Sequence, residues 1–399
     1  MSKTTSHFSL LYTFFLFSVG AVLALGLCGC KTARLPSQQP LFETSTVFEP
    51  VAGRYASMRI PALVATQKGT LLAFAEGRIG TASDWADMDL LMRRSTDGGK
   101  TWSDFVVVAP RQGGKPTSNP TPIVDRDGTI HLLYQRDYAH AYYTRSTDDG
   151  NTWSEPRDIT PVFEQFRQEY GWNVLAPGPG HSIQLKNGRL VVPVWLAASE
   201  KLEPHRNHHP SRVATIYSDD RGVTWKRGEL LPNTVEIRNP SEMMAVELQD
   251  GRVMLSIRHS KETRRRGISF SSDGASGWSI PTTHDELFDP ICMASIIRVP
   301  GKNGKSALLF VNPDSRDIPK NPRKNLTAKL SYDEGKTWPV QKVLNSEASG
   351  YSDLAIGPDG TIYCLYETNT TGTGWNYSLL LKRFNLAWLT DGKMHETTK

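Results

Sequence analysis

Five copies of one pattern, Ser-x-Asp-x-Gly-x-x-Trp, restrict the fold of this chain more than any other sequence feature. The copies begin at Ser95, Ser146, Ser218, Ser271 and Ser331, and only the fourth is degenerate, with Ala275 at the glycine position. Self-similarity at this spacing is typical of propellers, solenoids and arrays. Asp and Ser side chains can bond nearby backbone N–H groups and Gly accepts a positive φ, so each copy predicts a hairpin turn.

Short β-rich runs alternate with turn signals on both sides of these repeats. Clear examples are residues 60–64, 190–195 and 362–366, whereas a helical turn is expected only within residues 161–170. The sequence therefore predicts an all-β, six-bladed β-propeller over residues 46–399. Five blades carry a repeat, and the sixth is expected to combine the two chain ends, which closes the ring.

Composition narrows the classes of partner. The chain of 399 residues is 38% hydrophobic and 22% charged, and its formal net charge is +5. The longest basic run is only Arg264-Arg265-Arg266, which argues against nucleic acid. A scattered positive surplus suits an anionic small molecule or a negatively charged glycan surface.

The N-terminus has the features of an export signal. An apolar stretch over residues 8–27 follows Lys3 and ends in Leu27-Cys28-Gly29-Cys30, which resembles a bacterial lipobox. We expect residues 1–29 to be a lipoprotein signal peptide, Cys30 to be acylated and residues 30–45 to form a polar tether. The expected location is the cell envelope, as an outer-membrane or surface lipoprotein, with plain secretion or an uncleaved membrane anchor as alternatives.

The other cysteines and the acidic turns do not predict a metal site. Cys292 and Cys364 lie in apolar runs, so we expect buried free thiols rather than a disulfide. Residues 125–128 fit a turn better than a calcium loop. We expect no metal and no cofactor.

A set of charged and polar residues stands at the ends of predicted strands. It consists of Arg59, Asp84, Glu242, Arg258, Arg323, Tyr351 and Glu367. Their order, the motif Arg59-Ile60-Pro61 and the repeats resemble the exo-α-sialidase family of bacteria and animals, from about residue 47 to the end of the chain.

The resemblance implies a role for each of these residues. Arg59, Arg258 and Arg323 would bind the carboxylate of sialic acid, and Glu367 would hold Arg59 in place. Sialidases are the tyrosine exception among retaining glycosidases, so Tyr351 corresponds to the nucleophile. A neutral phenol avoids the repulsion that a carboxylate nucleophile would meet beside the substrate's own carboxylate. Glu242 would be the base for Tyr351, and Asp84 the acid and later the base.

Several neighbouring residues compete for these roles. Asp87 and Asp89 compete with Asp84, Glu247 competes with Glu242, and Arg316 competes with Arg323. Tyr351 could instead be a core tyrosine. Arg78 corresponds to an additional arginine near the site in some relatives, and a structural ion pair is an equal alternative. His181 could line the cleft or be held within its own loop.

The resemblance implies retaining hydrolysis of terminal α-linked sialic acids through a tyrosyl-linked intermediate. Expected substrates are sialylated glycans, namely mucin-type glycoproteins, gangliosides and sialyllactose, and the protein is expected to be a monomer. Transfer to another sugar or intramolecular closure is one alternative. A non-catalytic glycan-binding propeller is another, although such a protein would not be expected to keep both Tyr351 and Glu242.

Overall fold

The structure is a computed structural model that describes residues 39–202, 205–301, 306–320, 322–369 and 377–393. It contains six antiparallel sheets, each built on four main strands. The predicted all-β, six-bladed propeller is confirmed. Residues 1–38, which include the predicted signal peptide and Cys30, lie outside the described residues.

The blades follow one another along the chain, and each first strand lies innermost. Blade 1 contains β2 (Ser57–Ala65), β3 (Leu71–Arg78), β4 (Met88–Ser95) and β5 (Val106–Ala109). The strand before them in sequence, β1 (Phe42–Phe48), pairs within blade 6. Blade 2 contains β6 (Thr117–Val124), β7 (Ile130–Arg136), β8 (His140–Ser146) and β9 (Arg157–Asp158). Blade 3 contains β10 (Val174–Pro177), β11 (Ile183–Gln184), β12 (Leu190–Ala197), β13 (Ser211–Ser218) and β14 (Lys226–Leu230).

The second half of the ring repeats this arrangement. Blade 4 contains β15 (Met243–Glu247), β16 (Val253–Ile257), β17 (Arg265–Ser271) and β18 (Thr282–Phe288). Blade 5 contains β19 (Ser295–Pro300), β20 (Ser306–Pro313), β21 (Lys324–Ser331) and β22 (Val340–Ala348). Blade 6 contains β23 (Ser352–Ile356), β24 (Ile362–Thr368), β25 (Ser378–Phe384) and β1. The helices are α1 (Thr160–Glu164), a 3-10 turn (Gln165–Gln168) and α2 (Leu386–Leu389).

The innermost strands close a ring around the propeller axis. β2 contacts β6, β6 contacts β10, β15 contacts β19, β19 contacts β23, and β23 of the last blade contacts β2 of the first. Between blades 3 and 4 the contact with β15 is made by β11 and β12. Asp353 on β23 ties this ring together, because its buried carboxylate accepts bonds from Leu63 N (2.9 Å), His181 N (2.8 Å) and Ser295 Oγ (2.9 Å). These donors belong to blades 1, 3 and 5, so one buried carboxylate joins four blades.

The two ends of the chain share the closing blade, as expected. β1 pairs with β25 from Phe42 onward, so the propeller begins inside the segment that the sequence predicted as tether up to residue 45. In the other five blades the repeat is the turn between the third and fourth strands. In blade 6 these strands are β25 and β1, at opposite ends of the chain, and this explains why the sixth blade has no repeat.

Each repeat is a hairpin turn organised by its aspartate. Asp97 Oδ1 accepts bonds from Ser95 Oγ (2.8 Å) and Thr101 N (3.0 Å), and its other oxygen binds Thr101 Oγ1 (2.6 Å). Gly99 has φ +82°, and a Cβ there would meet Leu381 of blade 6 at 2.4 Å. Glycine is therefore required both by the backbone conformation and by the close approach of the neighbouring blade.

The tryptophans of the repeats also join neighbouring blades. Trp153 packs edge-on against Phe74 of blade 1, and Trp225 packs in the same way against Tyr143 of blade 2. In the other copies both the glycine and the residue before it have a positive φ, whereas in the degenerate fourth copy Gly274 has a positive φ and Ala275 does not, which is why alanine is tolerated there. The repeats thus stabilise the contacts between blades.

Strand direction separates the repeats from the candidate site. The predicted site residues stand where first strands begin, second strands end or third strands begin, as for Arg59, Glu367 and Arg323. Because neighbouring strands of a blade run in opposite directions, the start of the first strand, the end of the second and the start of the third lie on the same face of the propeller. The end of the third strand, where each repeat begins, lies on the opposite face. The five repeats therefore occupy the face of the propeller opposite the candidate site.

The predicted helical turn, the turn at residues 125–128 and the two free thiols are also present in the structure. Residues 161–170 contain α1 and the 3-10 turn, and Asp125 Oδ1 accepts from Thr129 N (3.0 Å) inside a turn. Cys292 and Cys364 are free and buried. Neither α1 nor α2 is long enough to cross a membrane, and no other helix of the described residues is.

Candidate active site

A strained bulge at the start of β2 positions Arg59. The pairing of β2 with β3 shifts register between Arg59 and Ala62, and Ile60 has φ +55°. Left-handed backbone is costly for a β-branched residue, so the surrounding contacts must hold it. Glu367 does so, because it binds Arg59 Nε (3.1 Å) and Nη2 (3.2 Å) and accepts from Ile60 N (2.9 Å).

The same carboxylate reaches the predicted nucleophile. Glu367 Oε2 accepts from Tyr351 N (3.1 Å) and is fully buried. Burial alone would raise the pKa of Glu367, but Arg59 and the backbone N–H of Ile60 outweigh burial and lower it. An ionised Glu367 therefore fixes Arg59 and the start of β23 relative to each other.

Three arginines surround the ring of Tyr351. The guanidinium carbons of Arg59, Arg258 and Arg323 lie 5.5, 5.7 and 5.4 Å from the ring centroid. The arginines come from blades 1, 4 and 5, and the tyrosine comes from blade 6. Residues that are nearly 300 positions apart in sequence thus meet at one point of the propeller face.

The charges of this cluster do not balance. Arg59 is paired with Glu367 and Arg258 with Glu242, whereas Arg323 donates only to the carbonyl oxygen of Ile291 (2.6 Å) and to no carboxylate among the described residues. Arg258 also has a buried Nε that bonds to no group of the residues that the structure describes. A buried cation without a counter-ion is costly, so the cluster is suited to bind an anion, and a carboxylate matches the planar guanidinium.

Tyr351 and Glu242 form a direct hydrogen bond. The tyrosine hydroxyl donates to Glu242 Oε1 at 2.5 Å, and Arg258 contacts both groups. Burial raises the pKa of Tyr351 well above its ordinary value, and the nearby arginines oppose that shift. The phenol is therefore protonated at neutral pH and needs a base to become a nucleophile, and Glu242 is within reach.

Asp84 stands apart from this pair, on the loop between β3 and β4. Its Oδ1 lies 2.9 Å from Arg78 Nη1 and 3.6 Å from Arg59 Nη1, and its side chain is 44% exposed. Burial opposes ionisation of Asp84, but Arg78 and Arg59 outweigh burial and lower its pKa. Asp84 is therefore ionised in the free protein and open to a ligand.

Arg78 both lies near the site and forms a structural ion pair, the two alternatives that the sequence left open. It is fully buried and bonds Glu76 Oε2 at 2.6 Å while it also holds Asp84. Glu76 in turn accepts from Asn119 N of blade 2 at 2.9 Å. Glu76 was not among the site residues predicted from the sequence. Alternation along β3 puts residues 76 and 78 on one face and could have indicated this pair.

The competing residues lie elsewhere. Asp87 and Asp89 both pair with Arg111. Glu247 lies at the far end of β15 and accepts from Lys186 N. Arg316 pairs with Asp314 at 2.7 Å, and His181 bonds Asp353 at 2.6 Å. Of the predicted set, only Cys30 falls outside the described residues.

A wall of rings from blades 1 to 3 also borders the site and was missed by the sequence analysis. The ring of His208 lies 5.8 Å from that of Trp85, the residue after Asp84, and packs against Tyr138 and Trp195. Aromatic residues in connecting segments carry no periodic signal, so only the fold reveals this contact. Among the described residues no three His, Cys, Asp or Glu side chains are grouped as metal ligands.

Comparisons with known proteins agree with this geometry. Residues 69–364 match the family described as BNR repeat-like domain. The chain is similar to a sialidase of Micromonospora viridifaciens, with 35% identity over 93% of this chain and 57% of that protein. A sialidase of Bacteroides fragilis (strain YCH46) is 31% identical over 79% of this chain and 60% of that protein.

A solved structure with the same fold is that of the Hadza microbial sialidase Hz136. It superimposes with a TM-score of 0.72 at 26% identity, over 87% of this chain and 69% of that one. The chain spans less than two thirds of the length of the two bacterial relatives.

Proposed function

This chain belongs to the family of bacterial sialidases with BNR repeats, and from that membership we propose that it is a retaining exo-α-sialidase. It would remove terminal α-linked sialic acids from glycoproteins, glycolipids and oligosaccharides. The observation that carries the proposal is the excess positive charge of three arginines gathered around Tyr351, whose hydroxyl is bonded to Glu242.

In the first step Arg59, Arg258 and Arg323 bind the carboxylate on the anomeric carbon. Tyr351 Oη attacks that carbon while Glu242 accepts the phenol proton. The glycosidic C–O bond breaks, and Asp84 donates a proton to the leaving oxygen. The product of this step is a sialyl group bonded to Tyr351, together with the released sugar.

In the second step water replaces the released sugar. Asp84 accepts a proton from the water, whose oxygen bonds to the anomeric carbon, and the bond to Tyr351 breaks. Glu242 returns its proton to the phenolate. Two displacements retain the configuration at the anomeric carbon.

Asp84 must be protonated to act as the acid, although Arg78 and Arg59 lie beside it. In the free protein they lower its pKa despite burial, so Asp84 is a carboxylate. A bound substrate carboxylate would neutralise part of the charge on Arg59, and it would bring a negative charge close to Asp84. Both effects raise the pKa of Asp84, so binding of the substrate would prepare the acid.

Product analysis tests this function. The protein is incubated with 2,3- and 2,6-linked sialyllactose, and the products are followed by proton NMR. Release of free α-sialic acid first supports retaining hydrolysis. An anhydro sugar or a new sialoside would instead identify intramolecular or intermolecular transfer, and binding without any product would identify a glycan-binding propeller.

Asp84→Asn is expected to slow cleavage of sialyllactose by about 100-fold or more, within the range of general acid catalysis. Aryl sialosides with good leaving groups should lose far less in the first step, because their departure hardly needs a proton. Pre-steady-state release of the aryl group measures that step. Asp87→Asn is the matched control, since Asp87 is in the same loop but pairs with Arg111. Equal slowing of both substrates would contradict the role of Asp84.

We also propose that the protein is a monomer anchored to the cell envelope through acylated Cys30, and the Leu27-Cys28-Gly29-Cys30 motif supports the anchor. Cys30→Ser is expected to release the protein from the membrane fraction and to abolish labelling by a radioactive fatty acid. Cys28→Ser is the control and should keep both. Unchanged labelling in Cys30→Ser would exclude acylation at this residue.

A further inference from the structure

A buried ion pair links the start of β17 to the connection between β18 and β19. Arg266 Nη1 lies 3.2 Å from Asp289 Oδ2, and both side chains are almost completely shielded from solvent. A charge removed from water in this way is very costly unless its partner is equally close. Because the pair is closed to solvent, neither residue contacts a ligand directly, so any effect on a ligand must be transmitted through other residues.

The guanidinium of Arg266 is held in one orientation. Nε donates to Ser256 Oγ (2.9 Å), and Nη1 donates to Asp289 Oδ2 and to the carbonyl oxygen of Cys292 (2.8 Å). Nη2 donates to the carbonyl oxygens of Glu242 and Ser256, both at 3.4 Å. The N–H groups of a guanidinium lie in one fixed plane. Each of them has an acceptor here, so the side chain ties these segments to one another.

The same pair holds the loop that contacts Arg323. Asp289 Oδ1 accepts from Cys292 N at 3.0 Å, so the N–H and the carbonyl group of Cys292 are both bonded to the pair. The preceding residue, Ile291, has φ +57°, a left-handed conformation that is costly for a β-branched side chain. Its carbonyl oxygen accepts from Arg323 Nη2 at 2.6 Å. Because the strained conformation persists only while its neighbours are fixed, the pair determines where this carbonyl group points.

Arg323 depends on this single carbonyl group more than Arg59 depends on any one atom. Arg59 is bonded to both carboxylate oxygens of Glu367, whereas the Ile291 oxygen is the one hydrogen-bond acceptor of the Arg323 side chain among the residues described. A binding group must be held to within a fraction of an ångström to match its ligand. The loop that carries Ile291 therefore controls how well Arg323 is placed.

We propose that Arg266 and Asp289 are positioning residues that fix Arg323 for binding of the substrate carboxylate, and that they act through the carbonyl group of Ile291. This inference deepens the proposed function, on which it rests. Since Arg266 also bonds the carbonyl oxygen of Glu242, the pair fixes the loop before β19 relative to the residue that would be the base. It thereby aligns the contributions of blades 4 and 5 to one site.

The test replaces the pair as a unit, by combining Arg266→Met with Asp289→Asn. The combination leaves no unpaired charge in the interior, which would itself destabilise the fold, and asparagine keeps an oxygen for Cys292 N. Calorimetry measures binding of the 2,3-unsaturated sialic acid analogue, which keeps the carboxylate. Its affinity is expected to fall about 10- to 100-fold, because a displacement of about 1 Å in a positioned group has effects of this order.

Lys329→Met is the matched control for loss of a buried ion pair. Lys329 is also fully buried, in β21 of blade 5, and it pairs with Asp314 at 2.6 Å. After the replacement Asp314 still has Arg316 as a partner. The other acceptor of Lys329 is the carbonyl oxygen of Glu286, so its contacts do not lead to Arg323. This variant should lose thermal stability and keep the affinity of the unaltered protein.

A double-mutant cycle with Arg323→Lys separates positioning from general destabilisation. If the pair acts through Arg323, its replacement in the Arg323→Lys background should cost no more than about twofold further in affinity. Effects that multiply in the cycle would overturn the proposal, because the pair would then act independently of Arg323. An affinity of the paired replacement within about twofold of the unaltered protein would overturn it as well.

Arg266→Lys is used if the paired replacement does not fold, as judged by thermal unfolding. Lysine keeps the charge beside Asp289 but loses the planar set of donors. A loss of affinity that disappears in the Arg323→Lys background supports the proposal. No loss, or a loss that persists in that background, rejects it.

The proposed function and this inference can fail separately. If the unaltered protein cleaves sialyllactose and the effects multiply in the cycle, the proposed function stands and only the positioning role fails. If the unaltered protein binds the analogue but releases no sialic acid, hydrolysis is rejected, and the cycle still decides whether the pair positions Arg323. Failure of the unaltered protein to bind the analogue at all would reject both.

Discussion

Tyr351→Phe is expected to fold normally and to lose about a thousandfold or more in turnover of natural sialosides. The substitution removes one oxygen atom, which is the atom that would bond to the anomeric carbon. Without it the reaction loses its covalent step, and the remaining machinery must rely on binding and charge stabilisation alone. Turnover of sialyllactose at saturating concentration measures the effect.

Tyr363→Phe is the matched control for this prediction. Tyr363 also belongs to blade 6, but its ring lies beside Gly98 of the first repeat, on the face opposite the site. Loss of its hydroxyl should leave turnover unchanged. Hydrolysis of sialyllactose by Tyr351→Phe at the rate of the unaltered protein would contradict the nucleophile assignment, whatever the control shows.

Arg323→Lys is expected to produce the second large effect. Arg323 has no carboxylate partner among the described residues, so a substrate carboxylate would be its main counter-ion. Lysine keeps the charge but loses the planar fork that matches a carboxylate. We expect a loss of about 2–4 kcal/mol of transition-state stabilisation, on the scale of a charge-assisted bond in a desolvated site. Measured kcat/KM for sialyllactose gives this quantity.

Arg316→Lys provides the control, because Arg316 lies in the same connection between β20 and β21 and is paired with Asp314. It should keep kcat/KM within a few-fold. Binding of the 2,3-unsaturated analogue, which keeps the carboxylate, should weaken in Arg323→Lys in parallel with kcat/KM. The opposite pattern, with Arg316→Lys impaired and Arg323→Lys normal, would show that the third arginine was assigned wrongly.

The fold could be predicted because its determinants are local. Each repeat specifies a hairpin through contacts among residues such as Ser95, Asp97 and Thr101, which are close in sequence. Five hairpins at this spacing predict five blades of a propeller, and the two chain ends supply the sixth. The propeller was predicted to start at residue 46, whereas β1 begins to pair with β25 at Phe42. A strand that pairs with the opposite end of the chain has no partner nearby in sequence that would mark its start.

The individual site residues could be proposed from the motif order, but the choice among neighbours could not be made from spacing. Asp84 and Asp87 are three residues apart, and Arg316 and Arg323 are seven apart. In each pair one residue faces the cleft while the other is held by a local ion pair. Which one faces the cleft depends on these side-chain contacts, and the spacing of the residues in sequence does not indicate them.

By itself the sequence determined the repeated turns, the number of blades and the set of side chains able to bind and attack an anionic sugar. These properties depend on residue types and on short spacings. Only the tertiary structure decided that Arg59, Arg258 and Arg323 converge on Tyr351 and that the hydroxyl of Tyr351 reaches Glu242. These relations join blades that are far apart in sequence, so they arise only when the ring closes.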